Sequence, residues 1–172
     1  MKRIITYCAL GLLGSLFLNG CELDDSNYVE TYILDTEVTS MSDCKVYILE
    51  KTASTDFKAD AKVYYQYNED TKELTLTHEN AAFNCCPGEV ESRAILRGSN
   101  IVVAEVEQTQ GCNCTCLYDI TIVINDIEKK GYVVKFNEPY LGNQVQISFV
   151  INLAEATSGS ATFARDLYPW VG

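Results

Sequence analysis

The residues best suited to chemistry in this chain are cysteines. Cys85 and Cys86 are adjacent, Cys112, Cys114 and Cys116 alternate with Asn113 and Thr115, and Cys44 stands alone upstream. Two chemistries compete for these six sulfurs, with free or exchanging thiols as a third reading. In the first they form disulfides. Alternate residues of a strand lie about 6.8 Å apart, at the upper limit for a disulfide, so bonds within the CxCxC group are disfavoured. A vicinal Cys85–Cys86 bond would need a strained ring. Pairing therefore runs between the groups: Cys85 and Cys86 take two of Cys112, Cys114 and Cys116, and Cys44 takes the third. In the second they are thiolates, and Cys85, Cys86 and two or three of the CxCxC sulfurs hold a metal, with His78 as a spare nitrogen ligand. Structural zinc sites space their cysteines as CxxC or wider, and adjacent cysteines on a strand point apart. A soft ion such as copper(I) tolerates tighter spacing. Disulfides are the preferred reading and a thiolate metal site the alternative. No CxxC is present to support dithiol redox chemistry.

Catalytic signatures are sparse. The sequence holds no HExxH, GxSxG, phosphate loop or calcium loop. His78 is the sole histidine, and Thr77-His78-Glu79-Asn80 reads as a turn at the end of a strand. Asp119 and Asp126 read as solvated surface. The expectation is a non-catalytic protein without a cofactor. Tyr64, Tyr65 and Tyr67, with Tyr47 upstream, form the densest aromatic group, which can stack on sugars or anchor a protein but more commonly packs within strands.

These side chains must be carried by strands. Short alternation rich in Val, Ile, Thr and Tyr, broken by Gly, Asn and Asp, predicts strands at 45–49, 61–67, 73–77, 89–97, 101–107, 114–125, 132–137 and 145–152. An extra edge strand is expected at 28–34. About eight strands at this spacing predict an all-β, antiparallel sandwich of immunoglobulin-like type. Parity gives each strand a dry face: Tyr118, Ile120, Ile122 and Ile124; Val102, Ala104 and Val106, opposite Glu105 and Glu107; Val145, Ile147, Phe149 and Ile151. If Gly98-Ser99 closes a hairpin, Glu89–Val90 lies opposite Glu107–Gln108, and both cysteine groups fall at one end of the sheet. On this reading they meet beyond the end of an intervening strand.

The first residues supply an address. Lys2 and Arg3 precede an apolar run from Ile4 to Leu18, the layout of a secretory signal and too short to span a bilayer. The ending Leu18-Asn19-Gly20-Cys21 resembles a bacterial lipobox, which implies cleavage before Cys21 and lipid attachment to its sulfur and new amino end. Removal of 1–20 leaves 152 residues and takes the formal charge from −11 to −13, because Lys2 and Arg3 go with the leader. So acidic a chain argues against nucleic acid or an anionic headgroup layer as a partner, because both would repel it. Membrane attachment is then left to the acyl chains, each worth about 0.8 kcal/mol per buried CH₂.

Four regions follow: the leader 1–20; the lipidated Cys21 with an acidic tether, to 43; a sandwich at 44–153; and a tail at 154–172 packed on it through Trp170. Glu22-Leu23-Asp24-Asp25-Ser26-Asn27 is similar to the stretches that direct lipoproteins of gut Bacteroidota to the cell surface. The HENAAFNCCPGE and GCNCTCLYDI segments, with a terminal RDLYPW, resemble small surface lipoproteins of that group. The resemblance implies an outer-membrane address, on the cell surface or facing the periplasm, and no particular activity. The functional expectation is a membrane-anchored binding or interaction module for a protein or glycan ligand, with thiolate metal binding as the alternative.

Overall fold

The computed structural model describes residues 29–49, 59–109 and 111–165, with backbone alone at 46–49. The leader, Cys21, the acidic tether and Trp170 lie outside the described residues. All described elements are strands: β1 Thr31–Leu34, β2 Thr36–Met41, β3 Val46–Leu49, β4 Ala61–Asn68, β5 Glu73–Asn84, β6 Val90–Arg97, β7 Asn100–Glu107, β8 Cys114–Ile124, β9 Gly131–Asn137, β10 Ser148–Asn152 and β11 Ser158–Phe163. They form an all-β sandwich. One sheet has the order β1-β6-β7-β9-β10, and the other β11-β4-β5-β8-β2 with β3 also on β8. Every pairing is antiparallel except β7 with β9.

Alternation builds the core where it is cleanest. Tyr118, Ile120, Ile122 and Ile124 of β8 face inward against Leu74, Leu76, Val134 and Phe136. The turns use the chemistry their residues offer. Asn68 Oδ1 accepts the amides of Asp70 and Thr71 at 3.0 and 3.4 Å, an Asx-type turn. Gly98, at φ +60°, closes the β6–β7 hairpin, and Val90 pairs with Glu107 as expected.

Several expectations need correction. β1 is the edge strand expected at 28–34, but β2 and β11 were not expected, and with them the sandwich reaches beyond 44–153. The strand expected to stop at Thr77 runs on to Asn84 as β5, with a register shift between His78 and Ala81 and Asn80 at φ +63°. The turn chemistry of His78-Glu79-Asn80 is therefore spent on a β-bulge rather than a reversal. Asp119, expected to be solvated, braces this bulge: its carboxylate accepts the Asn80 amide at 3.0 Å and Lys45 Nζ at 2.8 Å. The parity of β7 is inverted. Ile101, Val103 and Glu105 face the core, and Val102, Ala104 and Val106 face outward. Val145 is 77% exposed and precedes β10.

Candidate functional site: a hydroxyl-lined groove

Three places gather chemically capable side chains. The first is the cysteine end. β5 pairs directly with β8, Asn84 opposite Thr115, and the Cys85 amide donates to the Cys114 carbonyl at 3.1 Å. No intervening strand separates the groups, which corrects the expected route to their meeting. The pairing itself is as preferred from the sequence: Cys85–Cys114, Cys86–Cys112 and Cys44–Cys116. All six sulfurs are spent in disulfides, so none is a thiolate. Asn84, which sequence reasoning passed over, locks this end. Its Oδ1 accepts the Cys86 and Cys112 amides at 2.9 and 3.1 Å, and its Nδ2 donates to the Cys112 carbonyl at 2.6 Å.

The second is a buried ion cluster that crosses the two sheets. His78 comes from β5, Glu105 from β7, Glu138 from the segment after β9 and Arg165 from the segment after β11. His78 Nδ1 lies 2.8 Å from Glu105 Oε1, and Nε2 lies 4.0 Å from Glu138 Oε1. Arg165 Nη2 donates to both Glu138 oxygens at 2.8 and 2.7 Å, and Nη1 donates to the Val145 carbonyl. The four side chains are 0–2% exposed. The His78 ring meets Phe136 edge-on at 5.3 Å. A histidine held by a carboxylate is the arrangement of a general base, but this ring is sealed between the sheets and no substrate can reach it. It is a cross-brace. His78 is thus a core residue, not the turn residue expected, and Glu105 is inward because His78 waits opposite it.

The cluster makes stability pH-dependent. Burial alone pushes the His78 pKa down, but the charge and hydrogen bond of Glu105, aided by Glu138, outweigh it and leave it raised above 6.5. Burial likewise raises Glu138, against the opposing pull of His78 and Arg165. Each group therefore binds a proton more tightly in the folded protein than in the unfolded chain. Their contribution is complete at low pH and is lost as pH rises through the folded values. The melting temperature is therefore expected to fall as pH rises above about 6.5, and His78→Gln should flatten that decline. A calorimetric series across neutral pH that shows no difference between the two proteins would contradict this.

The third place is open to solvent. On the outer face of the six-stranded sheet, register sets two rows side by side: Ser160–Tyr64–Thr77–Thr121 and Ser158–Gln66–Thr75–Val123. Neighbours within a row stand about 4.8 Å apart, and the rows about 6.8 Å apart. A groove of about 420 Å³ lies over Tyr64, Gln66, Thr75, Thr77, Ser158 and Ser160. Among the described residues no charged side chain lines it. Thr77 Oγ1 and Thr121 Oγ1 are 3.2 Å apart, and Lys62 Nζ sits 4.2 Å from the Tyr64 ring centroid. The Tyr65 ring lies across β11, where a Cβ on Gly159 would come within 2.7 Å of it. Glycine at 159 leaves room for that ring against β11.

No family model, curated protein or solved structure matches this chain.

Function must therefore be argued from these three places. The tyrosine group noticed in the sequence divides between them. Tyr67 is buried and donates its hydroxyl to the Ile127 carbonyl at 2.9 Å, Tyr65 packs at the core margin, and Tyr64 alone is exposed at the groove. The Tyr47 side chain lies outside the described residues. Among the described residues no group of three or more His, Cys, Asp or Glu is arranged to hold a metal. Thr75, Thr77, Ser158 and Ser160 escaped notice because hydroxyls are ordinary on strands. Their signal was alternation, T-x-T and S-x-S on strands that later prove to be close neighbours.

Proposed function

We propose that this protein is an exported binding module, fastened to the outer membrane through lipid on Cys21, that presents the Tyr64 groove to a neutral glycan. The observation that carries the reading is a groove lined by hydroxyl and amide groups beside the exposed Tyr64, whose ring has the Lys62 ammonium 4.2 Å from its centroid. Each Ser, Thr and Tyr hydroxyl both donates and accepts, as sugar hydroxyls do, and the aromatic ring offers a surface for sugar C–H groups. The groove falls in the size range of small-molecule sites, about 300–1,000 Å³. Disulfides and a cross-braced core hold the sheet rigid, so little ordering cost falls on binding. The lipobox-like ending at Cys21 supports the anchor, and the acidic surface disfavours polyanionic ligands.

Affinity electrophoresis against neutral and anionic polysaccharides tests the ligand. Neutral chains should retard the protein, and Tyr64→Ala should weaken that retardation about tenfold, near 1.4 kcal/mol. Retardation unchanged by Tyr64→Ala, or confined to anionic chains, would refute the groove assignment. The anchor is tested separately: Cys21→Ser should move the folded protein from the membrane to the soluble fraction.

A further inference from the structure

The two outer faces of the sandwich are chemically opposed. On the six-stranded sheet the outward positions carry Glu37, Glu73 and Asp119 among the hydroxyls, with Lys62 as a cation. On the five-stranded sheet they carry aliphatics and cations. One row runs Ile33–Ile95–Val102–Lys135, and the next runs Arg97–Asn100–Val133–Val150. Arg93 stands beside Ile95 on the same parity, and the acid on these outward positions is Glu91, 3.5 Å from Arg93. Ile33 is 53% exposed and Val150 75%. Exposed aliphatics grouped on one face mark a contact surface.

From this segregation the geometry points to the occupant: the outer face of the five-stranded sheet rests on an anionic phospholipid surface. The inference rests on the lipid anchor at Cys21. Seven residues separate Cys21 from Val29. Even fully extended they reach only about 25–30 Å, so the domain is confined close to the headgroups. The described chain enters the fold on this sheet: Val29 packs beside Gly98 at the β6–β7 turn, and β1 follows directly as the edge strand. Three cations, Arg93, Arg97 and Lys135, can reach phosphates, and Arg does so bidentately. A second copy fits less well, because in a two-fold face-to-face pair this basic face would meet itself.

The net charge of −13 does not forbid the contact. Screening limits each charge to a Debye length of about 8–10 Å, and the sheets stand about 10 Å apart. The acids of the far face are therefore largely screened from the headgroups. Glu22, Asp24 and Asp25 of the tether add no attraction, which leaves the sheet's own cations and aliphatics to supply it. Docked this way, the sandwich turns the Tyr64 groove away from the bilayer, towards solvent.

The test uses the full lipidated chain in nanodiscs of equimolar phosphatidylcholine and phosphatidylglycerol doped with a gadolinium-chelating lipid. Methyl NMR signals of Ile33, Ile95 and Val150 should be lost, while those of Val123 on the opposite outer face survive. Combining Arg93→Glu, Arg97→Glu and Lys135→Glu, in a protein whose melting temperature is unchanged, should restore the lost signals. Equal loss on both faces means the domain tumbles on its tether and overturns the inference. The same pattern in phosphatidylcholine alone overturns the role of anionic lipid. Dimerisation of the soluble Cys21→Ser form that Ile95→Glu abolishes assigns the face to self-association instead. A chain that elutes apart from the discs removes the anchor and the inference with it, whereas any other failure leaves the anchor standing.

Discussion

Glu138→Ala is expected to destabilise the domain by about 3–5 kcal/mol, the range for removing one partner of a buried ion pair. The side chain is 2% exposed, and it holds Arg165 through two hydrogen bonds and faces His78 Nε2 at 4.0 Å. Without its carboxylate, the buried Arg165 guanidinium loses both of those hydrogen bonds and the charge that balances it. In a domain of this size the loss corresponds to a fall in melting temperature of about 10–20 °C. The effect should be much smaller in the double replacement Glu138→Leu with Arg165→Met, because two apolar groups of similar volume remove the unpaired charge as well. Urea denaturation of the three proteins gives the comparison. If Glu138→Ala costs under about 1 kcal/mol, water reaches the cluster and the cross-brace is a surface pair. The brace also carries topology: Arg165 follows β11 by two residues, so its bond to Glu138 stitches the end of one sheet to the end of the other.

What the sequence revealed follows how local each cause is. β8 was plain because four large residues of one parity meet a conventional core, and its partners add nothing unexpected. β7 misled because the aliphatic residues Val102, Ala104 and Val106 belong to an outer face that is itself apolar, so hydrophobicity no longer marks the inside. Glu105 faces inward only because His78, 27 residues earlier on the other sheet, accepts it there. That pairing is long-range and leaves no periodic trace. β11 was hidden for a different reason. Ser158-Gly159-Ser160-Ala161 has little intrinsic strand preference, and its conformation comes from pairing with Tyr64, Tyr65 and Gln66 of β4. The groove inherits this invisibility, since two of its hydroxyls, Ser158 and Ser160, stand on β11. The cysteine pairing was the reverse case. Spacing and ring strain disfavoured bonds within each group, so the conclusion survived even though the imagined route, around an intervening strand, did not.

The three disulfides should not contribute equally. Cys85–Cys114 and Cys86–Cys112 span 29 and 26 residues and enclose nearly the same segment. Either one closes that loop, so deleting Cys86 and Cys112 together frees little of the unfolded chain while Cys85–Cys114 remains. Cys44–Cys116 spans 72 residues and ties the segment before β3 to the centre of the cysteine end. Nothing duplicates it. In the chain-entropy account a loop of that length is worth about 4 kcal/mol. Removing Cys44 and Cys116 together is therefore expected to lower the melting temperature by about 10–15 °C, and removing Cys86 and Cys112 by only a few degrees. Cys116 is also wholly buried, so its replacement by alanine, which leaves a small void, adds to the loss. Paired deletions avoid stray thiols that could reshuffle the remaining bonds. Scanning calorimetry of the two double variants, with thiol counting under non-reducing conditions, decides the matter. Equal losses would mean that each disulfide acts through its own native contacts, and that constraint of the unfolded chain is not what stabilises this end of the sandwich.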